Sequence, residues 1–142
     1  MEISREIYNM IVTQCPDAPP ETGGVIGGKN GVITVFEFDI FDGNGFSNSY
    51  RPNVKFLNKV IQKWITDGIS FMGVFHSHEP SNVELSMPDR GYIIRIMEEM
   101  PTEINELYFP IVFPKESMQG YIALRKKDAI EIEYDMITLI DK

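Results

Sequence analysis

Residues 70–89, SFMGVFHSHEPSNVELSMPD, contain both histidines of the chain, His76 and His78. The run 69–75 before them is mostly apolar, which predicts a buried strand that ends at the histidines. Residues i and i+2 of a strand face the same side, so both rings can be aimed at one point about 2.0–2.1 Å from each ligating nitrogen, as zinc requires. Asp89 offers a third ligand, and the stretch is therefore a candidate metal site.

Each part of this pattern has a simpler interpretation when it is taken alone. Histidines at a strand end can be merely hydrogen-bonded, because a bare H-x-H also occurs without metal. Ser86 and Asp89 form S-x-x-D before a helical pattern, which is a capping box with Ser86 as the N-cap. Combined in this order, the residues favour a metal site with three protein ligands and an open fourth position, as in catalytic zinc sites.

A catalytic zinc site also needs a proton acceptor, for which Glu21 is the candidate. It lies just before Gly23 and Gly24, where the absence of side chains allows close backbone approach. Taken alone, Glu21 reads as a solvated loop carboxylate. The hypothesis therefore requires the fold to bring it to histidines more than fifty residues away.

Composition restricts the classes of function. The 142 residues carry a formal net charge of −8 with a pI near 4.7, which argues against binding to nucleic acid or to an anionic membrane, since both need a basic face. The single cysteine, Cys15, excludes an internal disulfide and a multi-thiolate zinc site. The sequence has neither a membrane-length apolar run nor a signal-peptide pattern, and we predict a cytoplasmic location.

Apolar periodicity predicts one mixed α/β domain over residues 1–142, with strands and helices on a single sheet. Helices are predicted at residues 2–14, 52–67 and 88–100, and strands at 23–28, 32–40, 69–75, 107–113, 118–126 and 128–135. The loops 41–51 and 79–85 are candidate substrate contacts. The glycines of GVIGGKNG form no phosphate-binding signature, so no nucleotide cofactor is predicted.

Glu21 with its two following glycines, then H-S-H, seven residues and S-M-P-D, resembles the JAMM motif of the JAB1/MPN metalloprotease family, an upstream glutamate followed by H-x-H-x7-S-x2-D. The spacing matches at every position. The order of helices and strands is also similar to that of the small prokaryotic JAB domains over residues 1–135. The resemblance implies a cytidine-deaminase-like fold, with a mixed β-sheet flanked by helices, and a zinc-dependent peptidase or isopeptidase with one Zn²⁺ per chain.

Carried over to this chain, the resemblance assigns the five motif residues. It implies His76, His78 and Asp89 as zinc ligands. It implies Glu21 as the general base and Ser86 as the hydroxyl that supports the oxyanion. The substrate is then expected to be a protein or peptide, and prokaryotic relatives point to the C-terminal tail of a ubiquitin-like or sulfur-carrier protein.

One residue departs from the family's pattern, and two other functions compete with the peptidase. A proline usually follows the second histidine, where this chain has Glu79; its carboxylate could screen the metal, repel an acidic substrate tail or point to solvent. A non-catalytic MPN-type scaffold is the alternative function, although scaffolding members typically lose ligands that are all present here. A zinc nucleobase deaminase would need P-C-x-x-C ligands, which this chain lacks.

Overall fold

A computed structural model describes residues 1–40 and 50–141, which form one mixed sheet with three helices. The elements follow in the order β1 (Glu2–Ser4), α1 (Arg5–Gln14), β2 (Gly23–Lys29), β3 (Val32–Phe38), α2 (Val54–Thr66), β4 (Ser70–Ser77), α3 (Met87–Glu99), β5 (Glu106–Tyr108), β6 (Ile111–Phe113), β7 (Ser117–Gln119), β8 (Tyr121–Arg125), β9 (Ile130–Tyr134) and β10 (Thr138–Ile140). The sheet order is β10-β1-β3-β2-β4-β5-β8-β9, and β6 pairs with β4 and β7. The predicted mixed α/β fold class is confirmed.

The sheet buries side chains on both of its faces. Along β2 and β4, Val25 and Val74 belong to one hydrophobic cluster, whereas their neighbours Ile26 and Phe75 belong to a second. Successive strand residues point to opposite faces, so the two clusters lie on opposite sides of the sheet. Helices α2 and α3 contribute to the first cluster and α1 to the second. His76 follows Val74 at i+2, so it points to the face covered by α2 and α3.

Tight packing at the centre of the sheet explains a glycine of β2. This strand pairs antiparallel with both β3 and β4. A Cβ added at Gly24 would lie 2.2 Å from the carbonyl oxygen of Glu37 and 2.7 Å from the ring of Phe75. A side chain at this position would therefore force the strands apart. The predicted hairpin turn after β2 is also present, with Asn30 and Gly31 at φ values of 55° and 78°.

The first predicted helix begins later than expected. The sequence pattern placed it at residues 2–14, but residues 2–4 form β1, which pairs in parallel with β3 and β10. Ile3 is fully buried there, and an apolar residue at this position fits an interior strand as well as the buried face of a helix. The last strand, β10, was not predicted either, and it pairs with β1. Both strands are three residues long, too short for a periodic signal.

Two predicted strands are each divided in two. The run 107–113 was predicted as one strand but forms β5 and β6, because Pro110 has no N–H to continue the ladder. The run 118–126 is divided at Gly120, where an added Cβ would lie 2.2 Å from the carbonyl oxygen of Asp135. The antiparallel register continues across both breaks, with Tyr108 opposite Ile122 and Ile111 opposite Gln119, so the four short strands form one interrupted hairpin. Within residues 1–40 and 50–141, no helix combines the length and apolar content of a membrane span.

Arg125 on β8 caps the C-terminal end of α3. Its guanidinium donates to the carbonyl oxygens of Met97, Met100 and Ile104, the last at 3.1 Å. We expect Arg125→Met to lower the free energy of unfolding by about 1–3 kcal/mol, because these carbonyls lose a charged donor. Urea denaturation measures the change. Arg95→Met, on the exposed side of α3, is the control and should stay within about 0.5 kcal/mol of the parent; equal losses in both variants would contradict the capping role.

Candidate metal centre

The end of β4 brings four predicted site residues together. His76 lies on β4 and His78 directly follows it, while Asp89 occupies the first turn of α3. Glu21 lies two residues before Gly23, which pairs with His76 across the antiparallel β2–β4 ladder. One potential ligand atom from each of the four lies within 4.8 Å of the others. The fold thus brings Glu21 to the histidines, as the sequence hypothesis required.

The imidazole nitrogens and carboxylate oxygens point at one another. Nε2 of His76 lies 2.9 Å from Nε2 of His78. Oδ2 of Asp89 lies 3.0 Å from Nε2 of His78 and 3.2 Å from Nε2 of His76. Oε2 of Glu21 is farther out, 3.6 Å from Nε2 of His78. The histidines and Asp89 form a compact triangle of atoms, with Glu21 beside it.

This donor set fits a divalent cation. The Asn82 carbonyl accepts a hydrogen bond of 2.8 Å from Nδ1 of His78, so Nε2 of a neutral His78 presents a lone pair to the triangle. Asp89 has a second buried oxygen, Oδ1, with no hydrogen-bond partner among the described residues. Lone pairs that converge in a buried site repel one another unless a proton or a metal cation lies among them. Two imidazoles and a carboxylate are also typical protein ligands of zinc.

The protonation equilibria of the group follow from burial and mutual contact. Burial lowers the pKa of His76. Burial would lower the pKa of His78 too, but hydrogen bonds to Asp89 and to the Asn82 carbonyl outweigh it and raise that pKa. Burial opposes ionisation of Asp89, yet its bonds to both histidines hold its pKa well below the usual range. Burial raises the pKa of Glu21, and the nearby His78 offsets only part of this rise. The raised pKa brings this carboxylate closer to the range of a general base.

The hydroxyl of Tyr92 lies behind His76. Its oxygen is 2.7 Å from Nδ1 of His76, and the residue is buried on α3. Partners of this kind orient a ligating histidine and typically account for 10–100-fold in metal affinity. We expect Tyr92→Phe to weaken zinc binding by about tenfold, measured by competition with a chromophoric chelator. The matched control is Tyr8→Phe, which removes a hydroxyl that accepts from the Met118 N–H at 3.1 Å; equal affinity in the parent and both variants would contradict the role of Tyr92.

Both interpretations of S-x-x-D agree with the geometry. The Asp89 N–H donates to Oγ of Ser86 at 3.1 Å, and the Ser86 N–H donates to Oδ2 of Asp89 at 2.8 Å, so the predicted capping box is confirmed. The same Oδ2 faces the two histidines. Ser86 accepts a bond through its oxygen, which leaves its hydroxyl proton free to donate.

Glu79 begins the loop next to the site. It is exposed, and its carbonyl oxygen accepts from the Asn82 N–H at 2.9 Å, which closes a turn after His78. Its negative charge is the smallest of the causes that raise the pKa of Glu21. The side chain is therefore solvated, and its field acts weakly on the base candidate. The other predicted contact loop, residues 41–51, lies mostly outside the described residues.

Tyr50 was predicted only as part of the substrate-contact loop 41–51, not as a partner of Glu21. Its N–H donates to Oε1 of Glu21 at 3.0 Å, and its ring is parallel to that of His76, with a centroid distance of 6.1 Å. Tyr92 was missed, and Asn82 was predicted only as part of loop 79–85, not as the partner of His78. Tyr92 carried a sequence signal, because it lies three residues after Asp89 on the same helix and hence on a neighbouring face. Tyr50 carried none, since only the folded chain brings it to Glu21.

Comparison with known proteins identifies the fold. No protein-family model and no curated protein matches the sequence. Among solved structures, the fold is similar to that of a JAB1/MPN domain protein from Archaeoglobus fulgidus, with a TM-score of 0.51 and 18% identity over 99% of both chains. It is also similar to a protein from Desulfitobacterium hafniense, with a TM-score of 0.60 and 17% identity over 99% of this chain and 93% of that one. A protein from Salinibacter ruber gives a TM-score of 0.54 and 16% identity, covering 99% and 92%. The chain has a JAB/MPN-type fold, as its motif implied.

Proposed function

We propose that this chain, with its JAB/MPN-type fold, is a zinc-dependent metallopeptidase that hydrolyses a peptide or isopeptide bond. One observation carries the proposal: Nε2 of both histidines and Oδ2 of Asp89 converge in a buried triangle, with Oε2 of Glu21 3.6 Å from Nε2 of His78. A hydrogen-bonded structural cluster would need protons between these atoms. A metal ligand set needs lone pairs, which the Asn82 carbonyl favours at His78.

Each protein group then has a distinct task in hydrolysis. Zinc, when bound by His76, His78 and Asp89, supplies a Lewis acid and lowers the pKa of water to about 7. Glu21 accepts a proton from the attacking water through Oε2 and afterwards delivers it to the leaving amine. Ser86 donates its hydroxyl proton to the oxyanion that forms on the scissile carbonyl. Acid–base assistance of this kind typically contributes about 10²–10⁴-fold.

The substrate is proposed to be a protein or peptide, with the C-terminal tail of a ubiquitin-like or sulfur-carrier protein as the first candidate. The net charge of −8 favours a neutral or basic partner over an acidic one. The described loops contain no long insertion that would select one ubiquitin-like protein over another. Several such proteins should therefore be tested as substrates.

The test incubates zinc-loaded protein with a panel of ubiquitin-like proteins whose Gly-Gly tails are extended by one residue or linked to a lysine side chain. Mass spectrometry should detect cleavage after the tail glycine in at least one panel member. Chelator-treated protein is the control and should be inactive until zinc is restored. Uniform resistance, together with stable binding of a panel member, would favour the non-catalytic scaffold.

A further inference from the structure

The side chain of Glu21 has a specific restraint. Glu21 lies in the segment between α1 and β2, outside any helix or strand. Its two carboxylate oxygens are used differently: Oε1 accepts from the Tyr50 N–H at 3.0 Å, while Oε2 faces Nε2 of His78 at 3.6 Å. The bond to Tyr50 thus holds one carboxylate oxygen and leaves the other facing the centre.

Tyr50 is itself held by a close-fitting pocket. Its side chain is 6% exposed, and its ring contacts the ring of Tyr92 edge-on at a centroid distance of 5.9 Å. The ring also covers Gly23, where an added Cβ would lie 2.6 Å from a ring carbon. The ring of His76 lies nearly parallel to that of Tyr50, at an interplanar angle of 8°. These contacts restrict the movement of the ring.

The hydroxyl of Tyr50 fixes the far end of the side chain. It donates to Oδ2 of Asp39, which also accepts from the Asn53 N–H at 2.9 Å. The Asp39 N–H donates to the carbonyl oxygen of Gly23 at 2.8 Å, which attaches it to the edge of β2. Tyr50 is therefore anchored to the sheet through Asp39 and to the start of α2 through Asn53.

We propose that Tyr50 is a positioning residue for the general base, with its Asp39-anchored side chain fixing the N–H that orients Glu21. The inference rests on the proposed function, since it assigns Glu21 as the base. Tyr50 lies outside the group of side chains that can hold the metal. It acts by holding Oε1, so that Oε2 faces the attacking water.

Tyr50→Phe tests this, because it removes the hydroxyl and keeps the ring in its pocket. We expect kcat to fall by about tenfold with KM within about twofold, since a slightly misplaced base slows chemistry but not binding. The metal content should equal that of the parent. Tyr8→Phe, which removes a hydroxyl bonded to the Met118 N–H, is the matched control and should leave kcat unchanged.

A second readout does not depend on activity. In ¹H–¹⁵N spectra of the metal-free protein, the amide of residue 50 should lie downfield, as expected for a bond to a carboxylate. It should shift upfield in Glu21→Ala and, in the same direction, in Tyr50→Phe. The Tyr8→Phe spectrum should keep the parent position. Asp39→Asn, which weakens the anchor and keeps an acceptor oxygen, should give a smaller shift of the same sign and carries the test if Tyr50→Phe does not fold.

An unchanged amide 50 resonance in Tyr50→Phe, or a kcat equal to that of Tyr8→Phe, would overturn the positioning role. Loss of metal in parallel with kcat would also overturn it, because the effect would then act on the ligands. If the parent cleaves no panel substrate, the proposed function fails. The amide measurements still decide in that case whether Tyr50 orients Glu21.

Discussion

Glu21→Gln is expected to lower turnover by about 10²–10⁴-fold while one metal ion per chain stays bound. The amide replaces Oε2 or Oε1 with an NH₂ group of similar size, which cannot accept a proton from water at neutral pH. The ligand triangle of His76, His78 and Asp89 does not include Glu21, whose Oε2 is 3.6 Å from the nearest imidazole nitrogen. Activity should therefore be lost without the metal. The measurements are kcat on a cleaved panel substrate and zinc per chain by elemental analysis.

Glu79→Gln is the matched control for this prediction. It removes the same charge from an exposed residue, in the loop that follows His78. The field of Glu79 acts only weakly on Glu21, so kcat should change by less than about threefold. Retained turnover in Glu21→Gln would remove Glu21 from the mechanism. Loss of zinc in Glu21→Gln would instead assign it as a fourth ligand.

The centre was predictable because its parts are short-range patterns. The alternation of a strand places His76 and His78 on one side, and the capping pattern places Asp89 in the first turn of α3. Both geometries follow from local backbone periods. The proximity of Glu21 is different, because it requires the antiparallel pairing of β2 with β4. Only the motif spacing, and not local chemistry, indicated that contact in the sequence.

The unpredicted features all depend on contacts between distant residues. The pairing of β1 with β10 joins Ile3 to Leu139 across nearly the whole chain, and neither strand is long enough to show an alternating pattern. The strand break at Gly120 interrupts an apolar run that otherwise reads as one strand, and there the backbone lies against the carbonyl oxygen of Asp135. Tyr50 meets Glu21 and Asp39, residues 29 and 11 positions away, only in the folded chain. In each case tertiary pairing, which a sequence window does not contain, decides the structure.

His78→Ala should reduce bound zinc from one ion per chain to nearly none. Nε2 of His78 lies closest to the other ligand atoms, 2.9 Å from His76 and 3.0 Å from Asp89, so its loss leaves two ligands and an open side. Two-ligand sites hold zinc far less tightly than the three- and four-ligand sites of proteins. Elemental analysis after dialysis against buffered zinc measures the loss. Full occupancy in His78→Ala would exclude the proposed centre.

Zinc should also stabilise the parent protein against unfolding. Comparing this stabilisation between variants separates metal ligation from helix capping. Binding to the folded state alone adds about 2.7 kcal/mol when free zinc is about 100 times Kd. Ser86→Ala should cost about 1 kcal/mol through the lost N-cap and retain that zinc-dependent increment, because the Ser86 N–H still holds Oδ2 of Asp89. His78→Ala should lose the increment and keep the cap. Thermal melts with zinc and with chelator measure both effects, and an increment that vanishes in Ser86→Ala but persists in His78→Ala would place the metal elsewhere.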